Sequence, residues 1–340
     1  KGNRPTKIPV AVCSPKMLPN RRMPSDRTRA RFPINSMGNI SGAIEQLTVA
    51  SNLQPQSSAI ALQLARLLQS HLQTKLGRTV LVENKSGAAG SLGAIQVAKS
   101  PPDGATFLVT FDSHAVIPSI LEKPGLDVEK DLVPVFLVGT APYVLAANAE
   151  RPYKTIADVI AACKANPGAV KYASVGIGTL GHLAMTVLGK KAGVEMVHVP
   201  YRGGGPAMND VLGGHVDMII GSAALVTAQL GTNRLRPILQ MGRERMPVLK
   251  DTQTAIEAGY PDFETLAWWG VFAPKDTPSD VIASMANSVK EILSEPAVAA
   301  NLKETQQMTL LLADGKEFAT FFAKQVSTWG QVVRENNIKA

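Results

Sequence analysis

From residue 46 onward, short runs of β-branched and aromatic residues alternate with stretches in which apolar positions recur every three or four residues. The first pattern is that of strands, the second that of helices with one buried face. In order they predict a strand over 47–50, a helix over 58–76, a strand over 79–83, a helix over 92–99 and a strand over 106–110. Strands joined through helical crossovers pair in parallel, so this series predicts a parallel sheet covered by helices. Two strand-like stretches, 133–138 and 143–147, then follow with no helix between them and mark the expected crossover to a second series. That series reads helix 156–166, strand 170–174, helix 180–192, strand 196–201, helix 206–212, strand 216–221, helix 223–230 and strand 235–241. After Pro247 come 254–259, a strand-like 266–273, and helical patterns over 279–294 and 315–336 that need an existing sheet to pack on. The expected architecture is α/β with two lobes, 46–140 plus 245–340 and 141–244, each an open, mostly parallel sheet flanked by helices. Such sheets take ligands beyond the carboxyl ends of their strands, here in the cleft between lobes.

Composition narrows the class. A length of 340 residues suits two cores, and 45% hydrophobic with 18% charged residues excludes a largely disordered chain. No run of 18 apolar residues occurs, so no membrane-spanning helix is expected. The formal charge of +8 at first points to nucleic acid or an anionic surface. Its placement changes that picture: residues 1–45 hold nine Lys or Arg against Asp26 and Glu45, a net of +7, and the other 295 residues carry +1. Since 1–43 also lacks any helical or strand period, 1–45 is read as a disordered basic tail, and no nucleic-acid partner is expected. Cys13 and Cys163 support neither a disulfide framework nor a cysteine metal site, and no metal or cofactor is expected. The apolar run 8–13 is shorter than a secretory core and Val12 is bulky for a lipidation signal, so no export signal is legible.

Three glycine-rich loops each leave a strand and open a helix: 84–93, Ser174 through Gly181, and Tyr201 through Pro206. Glycine lets backbone approach a ligand, and a helix start offers unpaired N–H groups at the positive end of its dipole, so each loop is a candidate carboxylate or phosphate cradle. Tight βα turns use the same residues without binding anything; two such loops in one lobe favour binding. Gly176-Ile177-Gly178-Thr179-Leu180-Gly181 also matches the dinucleotide fingerprint, which keeps a nucleotide- or NAD-dependent enzyme as an alternative. Against it, the following strand runs into Arg202, where that fingerprint wants an acid. The five histidines show no metal-ligand spacing and no nucleophile elbow is present. His114, just after a strand, is placed either to face the cleft or, as is commoner for a lone histidine, to pack in the core, and His182 near a helix start to pack or cap. Of Trp268 and Trp269, alternation allows one at most to do so.

Val82 through Gly90, Pro102-Asp103-Gly104, Tyr172-Ala173-Ser174 through Gly181-His182-Leu183, His198 through Gly203, Gly213-Gly214-His215-Val216-Asp217 and Phe272-Ala273-Pro274 together resemble the Bug family, the periplasmic receptors of tripartite tricarboxylate transporters. The resemblance implies a two-lobed fold of the periplasmic-binding-protein type and a periplasmic, monomeric receptor without catalysis. Such a receptor hands a small organic acid, a di- or tricarboxylate, an amino acid or a relative, to a membrane transporter. It further implies that Ser113, His114, Ser174, Gly178, Thr179, Tyr201 and Gly203 line the cleft. The family's Pro-Gly-Gly loop ending in aspartate has no counterpart in 47–60, and Gly221-Ser222 stands where many relatives carry an aspartate. With the basic tail, these departures lead to the expectation of a start or frame misplaced upstream, or of a degenerate or sensory paralogue.

Overall fold

The computed structural model describes residues 46–51, 59–77, 79–86, 90–122 and 124–339. The expectations for the 1–45 tail, for the loop 52–58 and for Gly87 to Ala89 lie outside the described residues. The chain begins β1 (Gln46–Ser51), α1 (Ala59–Leu76), β2 (Leu81–Ser86), α2 (Ser91–Ala98), β3 (Thr106–Phe111). A 3-10 turn, Asp112–Val116, and the short α3 (Ile117–Ile120) lead to the 17-residue β4 (Leu132–Asn148). Next come α4 (Ile156–Ala165), β5 (Lys171–Ser174), α5 (Leu180–Ala192), β6 (Val197–Pro200), α6 (Gly204–Leu212), β7 (Met218–Ser222), α7 (Ala223–Thr227) and β8 (Leu235–Gln240). The chain closes with β9 (Leu266–Pro274), α8 (Ser279–Ser294), α9 (Pro296–Thr305), β10 (Thr309–Asp314) and α10 (Gly315–Glu335).

Local chemistry sets many of these limits. Thr155 accepts the Asp158 N–H while the Asp158 carboxylate accepts the Thr155 N–H, a reciprocal cap that starts α4. Gly193, at φ +62, stops α5, and Asp314 caps α10 by accepting from Lys316 and Glu317. On α1 the fully buried Ala61, Leu64, Ala65, Leu68 and Leu72 recur at the helical period and form the face that packs on the sheet. Each buried leucine there contributes roughly 2 kcal/mol of transfer free energy.

The strands form one continuous sheet in the order β2-β1-β3-β9-β4-β7-β5-β6, with β10 and β8 also paired to β4. The two expected strands 133–138 and 143–147 are a single strand, β4, shared by both halves. Gly139 through Pro142 looks like a turn in isolation, yet Thr140 pairs across to both Trp268 and Thr309, which holds the segment extended. Residues up to Pro142 pair with β9, and from Tyr143 the same strand pairs with β7 and β8. Pro142 sits where the partners change and Pro134 beside a register shift, positions that do not demand a ladder N–H.

The sheet is parallel only at its two edges, where β2, β1 and β3 and then β6, β5 and β7 are joined by helical crossovers. All pairings of β4 and β9 are antiparallel, so the expected mostly parallel lobes are mixed at their junction. The centre reverses because β9 returns from the second half to lie between β3 and β4. Two elements, α9 and β10, were not legible in the sequence; β10 forms along β4 with a register shift and with Leu312 at φ +51.

Candidate functional site

A cavity of about 240 Å³ lies where β4 changes partners, and Tyr143 at that point lines it. Ile60 and Gln63 of α1, Phe111 and Asp112 at the end of β3, Ala267 and Trp269 of β9, and Thr305 and Gln306 at the end of α9 form the wall from the first half. Val175 and Thr179 between β5 and α5, Gly204 at the start of α6, Gly221 and Ser222 closing β7, and Ala224 and Leu225 of α7 form the other. The contributing strands β3, β5 and β7 deliver their carboxyl ends here, as open α/β sheets do. A wider opening of about 720 Å³, lined by Lys164, His182, Met185, Lys190 and neighbours, is a surface recess of the second half alone. The smaller cavity, with walls from both halves, is the better candidate despite its size.

The loop from β5 to α5 is tied internally. Thr179 Oγ1 donates to the Gly176 carbonyl at 2.7 Å, and Gly176 N–H donates to Ser174 Oγ at 3.2 Å. Ser174 Oγ also lies 2.6 Å from His198 Nε2, and Gly178 N–H donates to His182 Nδ1 at 3.2 Å. The His182 and His198 rings stack 3.9 Å apart, and burial pushes their pKa down to about 4 and about 3. Neutral His182 can therefore accept through Nδ1 at neutral pH and pin the loop. Gly178, at φ +71, has Ile120 of α3 so close that an added Cβ would meet it at 3.0 Å. This glycine is required both by its backbone conformation and by the approach of the two halves. Gly204 and Gly221 both press on Leu225, where added Cβ atoms would stand 2.9 and 2.7 Å from its side chain.

Of the seven residues expected in the cleft, Thr179 lines the cavity. Gly178 and Gly203 adjoin lining residues, and Gly203, at φ +109, directs the chain into α6. Ser174 is buried and engaged with His198, so it braces the loop rather than lining the cavity. The Tyr201 hydroxyl donates to Asp210 at 2.6 Å, which turns it toward α6. Ser113 is buried within the 3-10 turn. The His114 ring lies between Phe272 and Phe322 at 5.0 and 5.4 Å, with neither nitrogen hydrogen-bonded. The turn that presents Asp112 to the cavity carries His114 into this aromatic core, where burial lowers its pKa to about 3. Trp269 lines the cavity while Trp268 is buried among Phe318, Phe321 and Phe322, so alternation along β9 held.

Sequence reasoning missed Asp112, a lining carboxyl whose ionisation is strongly perturbed. It is buried, the Tyr143 hydroxyl donates to Oδ2 at 3.1 Å, and burial raises its pKa from 3.8 to about 7 against that bond and one from the Ser113 backbone. Burial and the neighbouring Asp112 push the Tyr143 hydroxyl well above its usual range. The available signal was position: a carboxyl on the residue that ends an apolar strand. Neither Lys, Arg nor His lines the cavity among the described residues. The first turns of α5 and α6 begin at the lining residues Thr179 and Gly204, and their N–H groups have no acceptor within their helices. Among the described residues no group of three or more His, Cys, Asp or Glu is placed to hold a metal ion.

The family described as "Tripartite tricarboxylate transporter family receptor" matches residues 64–338. A protein of Pseudomonas sp. strain P51, described as "UPF0065 protein in tcbD-tcbE intergenic region", is 34% identical over 82% of each chain. Protein BugT of Bordetella pertussis is 33% identical over 81% of this chain and 85% of its own. Among solved structures, the periplasmic binding protein BugD superposes with a TM-score of 0.76 at 29% identity, covering 88% of this chain and 99% of that one. An R. palustris protein with adipate gives 0.78 at 26% identity, over 87% and 98%. MatC of Rhodopseudomonas palustris with bound malate gives 0.73 at 26% identity, over 85% and 98%. None of these matches supports the nucleotide-dependent alternative, and the fold and the family are those of substrate-binding receptors. Among the described residues no helix is long and apolar enough to cross a membrane. The shared fold and the match over most of the chain place this protein in the tripartite tricarboxylate transporter family of receptors.

Proposed function

We propose that the protein is a periplasmic, monomeric receptor that captures one small carboxylate in the cavity beside Tyr143 and delivers it to a membrane transporter, with no chemical step. The halves 46–140 with 245–340 and 141–244 act as lobes that close on the solute. The observation that carries this reading is a cavity walled by both halves, with the amino ends of α5 and α6 at its edge and Thr179 in its lining. Backbone N–H groups and hydroxyls hold a carboxylate without a lysine or arginine. Ser174, Gly178, Tyr201 and Gly203 shape those loops, and Ser113 with His114 anchors the turn that ends β3. The adipate and malate bound by two relatives support the ligand class.

Thermal unfolding in the presence of a panel of small organic acids tests this, since a ligand of the folded state stabilises by RT ln(1 + [L]/Kd). Thr179→Ala removes the bond to Gly176 and should weaken binding by about three- to tenfold, the equivalent of roughly 0.5–1.5 kcal/mol. Gly203→Val strains a position at φ +109 and should weaken it further, with the fold retained in both variants. A shift with NAD or ATP and none with any acid would overturn the receptor reading.

A further inference from the structure

An acid is out of place in a cavity that receives an anion. Asp112 is buried at the end of β3, opens on the cavity beside Trp269 and Thr179, and is met by the Tyr143 hydroxyl. No cationic side chain lines the cavity among the described residues to neutralise it. A buried carboxylate without a cation is costly, and a second carboxylate beside it is more so. The cavity thus has two unlike poles. On one side stand the N–H groups and positive dipole ends of α5 and α6. On the other stands a carboxyl among the rings of Phe111, Tyr143 and Trp269, and aromatic faces attract cations.

We infer that Asp112 determines the specificity of the cavity by receiving the ammonium or methylated ammonium group of a small amino-acid-type zwitterion, whose carboxylate rests at the amino ends of α5 and α6. This rests on the receptor reading and narrows its ligand class. The volume of about 240 Å³ suits a compact solute. A dicarboxylate of the same length would set its second acid group against Asp112 and would be held only with Asp112 protonated.

The two ligand classes therefore exchange protons in opposite directions. In the empty cavity burial holds Asp112 at about 7. Among the described residues, Tyr143 of β4 is the titratable group that faces it; Ile60 and Gln63 of α1, Ala267 and Trp269 of β9, and Val175, Thr179 and Gly204 opposite, bring none. At pH 7 an arriving ammonium group ionises Asp112 and releases up to about half a proton, whereas a second carboxylate makes it take up about as much.

The test is titration calorimetry of the full chain at pH 7 in two buffers of different ionisation enthalpy. The probes are β-alanine, 4-aminobutanoate, glutamate and glycine betaine against succinate, glutarate and adipate. The expected result is an amino-acid-type ligand bound at least tenfold more tightly than the dicarboxylate of matching length, with proton release. Asp112→Asn, which keeps the side-chain shape, should abolish that preference. Dicarboxylates preferred by the wild type, proton uptake on binding, or a preference that survives in Asp112→Asn would each overturn the assignment while the receptor reading stands. If neither class binds, both fall. Should the variant not fold, the wild-type preference and proton count decide alone.

Discussion

Replacing Asp112 by Asn removes a titrating group from the interior, and the consequence for the empty protein follows from where that group sits. Asp112 is 4% exposed and its pKa is raised from 3.8 to about 7, chiefly by burial. Between those values the folded chain holds a proton that the unfolded chain has lost, so stability falls as pH rises from about 4 to 7 and levels off above. The separation corresponds to a ceiling of about 4 kcal/mol. Asn carries no charge, and its carbonyl can still accept from the Tyr143 hydroxyl. By pH 5 roughly 1.5 kcal/mol of that ceiling is already present, so between pH 5 and pH 8 the stability difference should move in favour of the variant by a further roughly 2–3 kcal/mol. Guanidinium unfolding at both pH values measures it, because the histidines common to both proteins cancel in the difference. A difference that does not change with pH, or one that turns against Asn at pH 8, would show that Asp112 ionises normally and refute the reasoning.

Two further changes probe the frame around the cavity. His114→Leu removes two buried nitrogens that have no hydrogen-bond partner. Because the folded pKa of about 3 lies below the ordinary 6.5, His114 costs stability as pH falls through 6.5 toward 3, so the variant should lose part of that acid sensitivity in pH-dependent unfolding. An unchanged acid limb would place the histidine in contact with solvent. Gly270→Ala in β9 drives a methyl into the Phe318 ring of α10 and should lower stability by about 1–3 kcal/mol in denaturant unfolding, and wild-type stability would contradict the packing of α10 on the sheet.

The sequence determined a good deal by itself. The periods over 180–192 and 279–294 coincide with α5 and α8, because an amphipathic face and its caps are local properties. The glycine loops fell at the strand-to-helix turns for the same reason: a positive φ at Gly178 or Gly203 is a demand of one residue's backbone. The ordered motifs between Val82 and Pro274 carry the resemblance to the receptor class in the sequence itself.

Tertiary structure decided what depends on partners far along the chain. That 132–148 is one strand follows from its pairing with β9, β10, β7 and β8, segments that lie more than 60 residues away in sequence. The same holds for β10, which takes its extended form from the edge of β4 that it joins. Which member of Asp112-Ser113-His114 meets the cavity was settled by the turn after β3 and by Phe272 and Phe322 closing over the histidine. Local pattern places a polar residue at the end of a strand, but only the packing on either side of it determines whether it meets solute or phenylalanine.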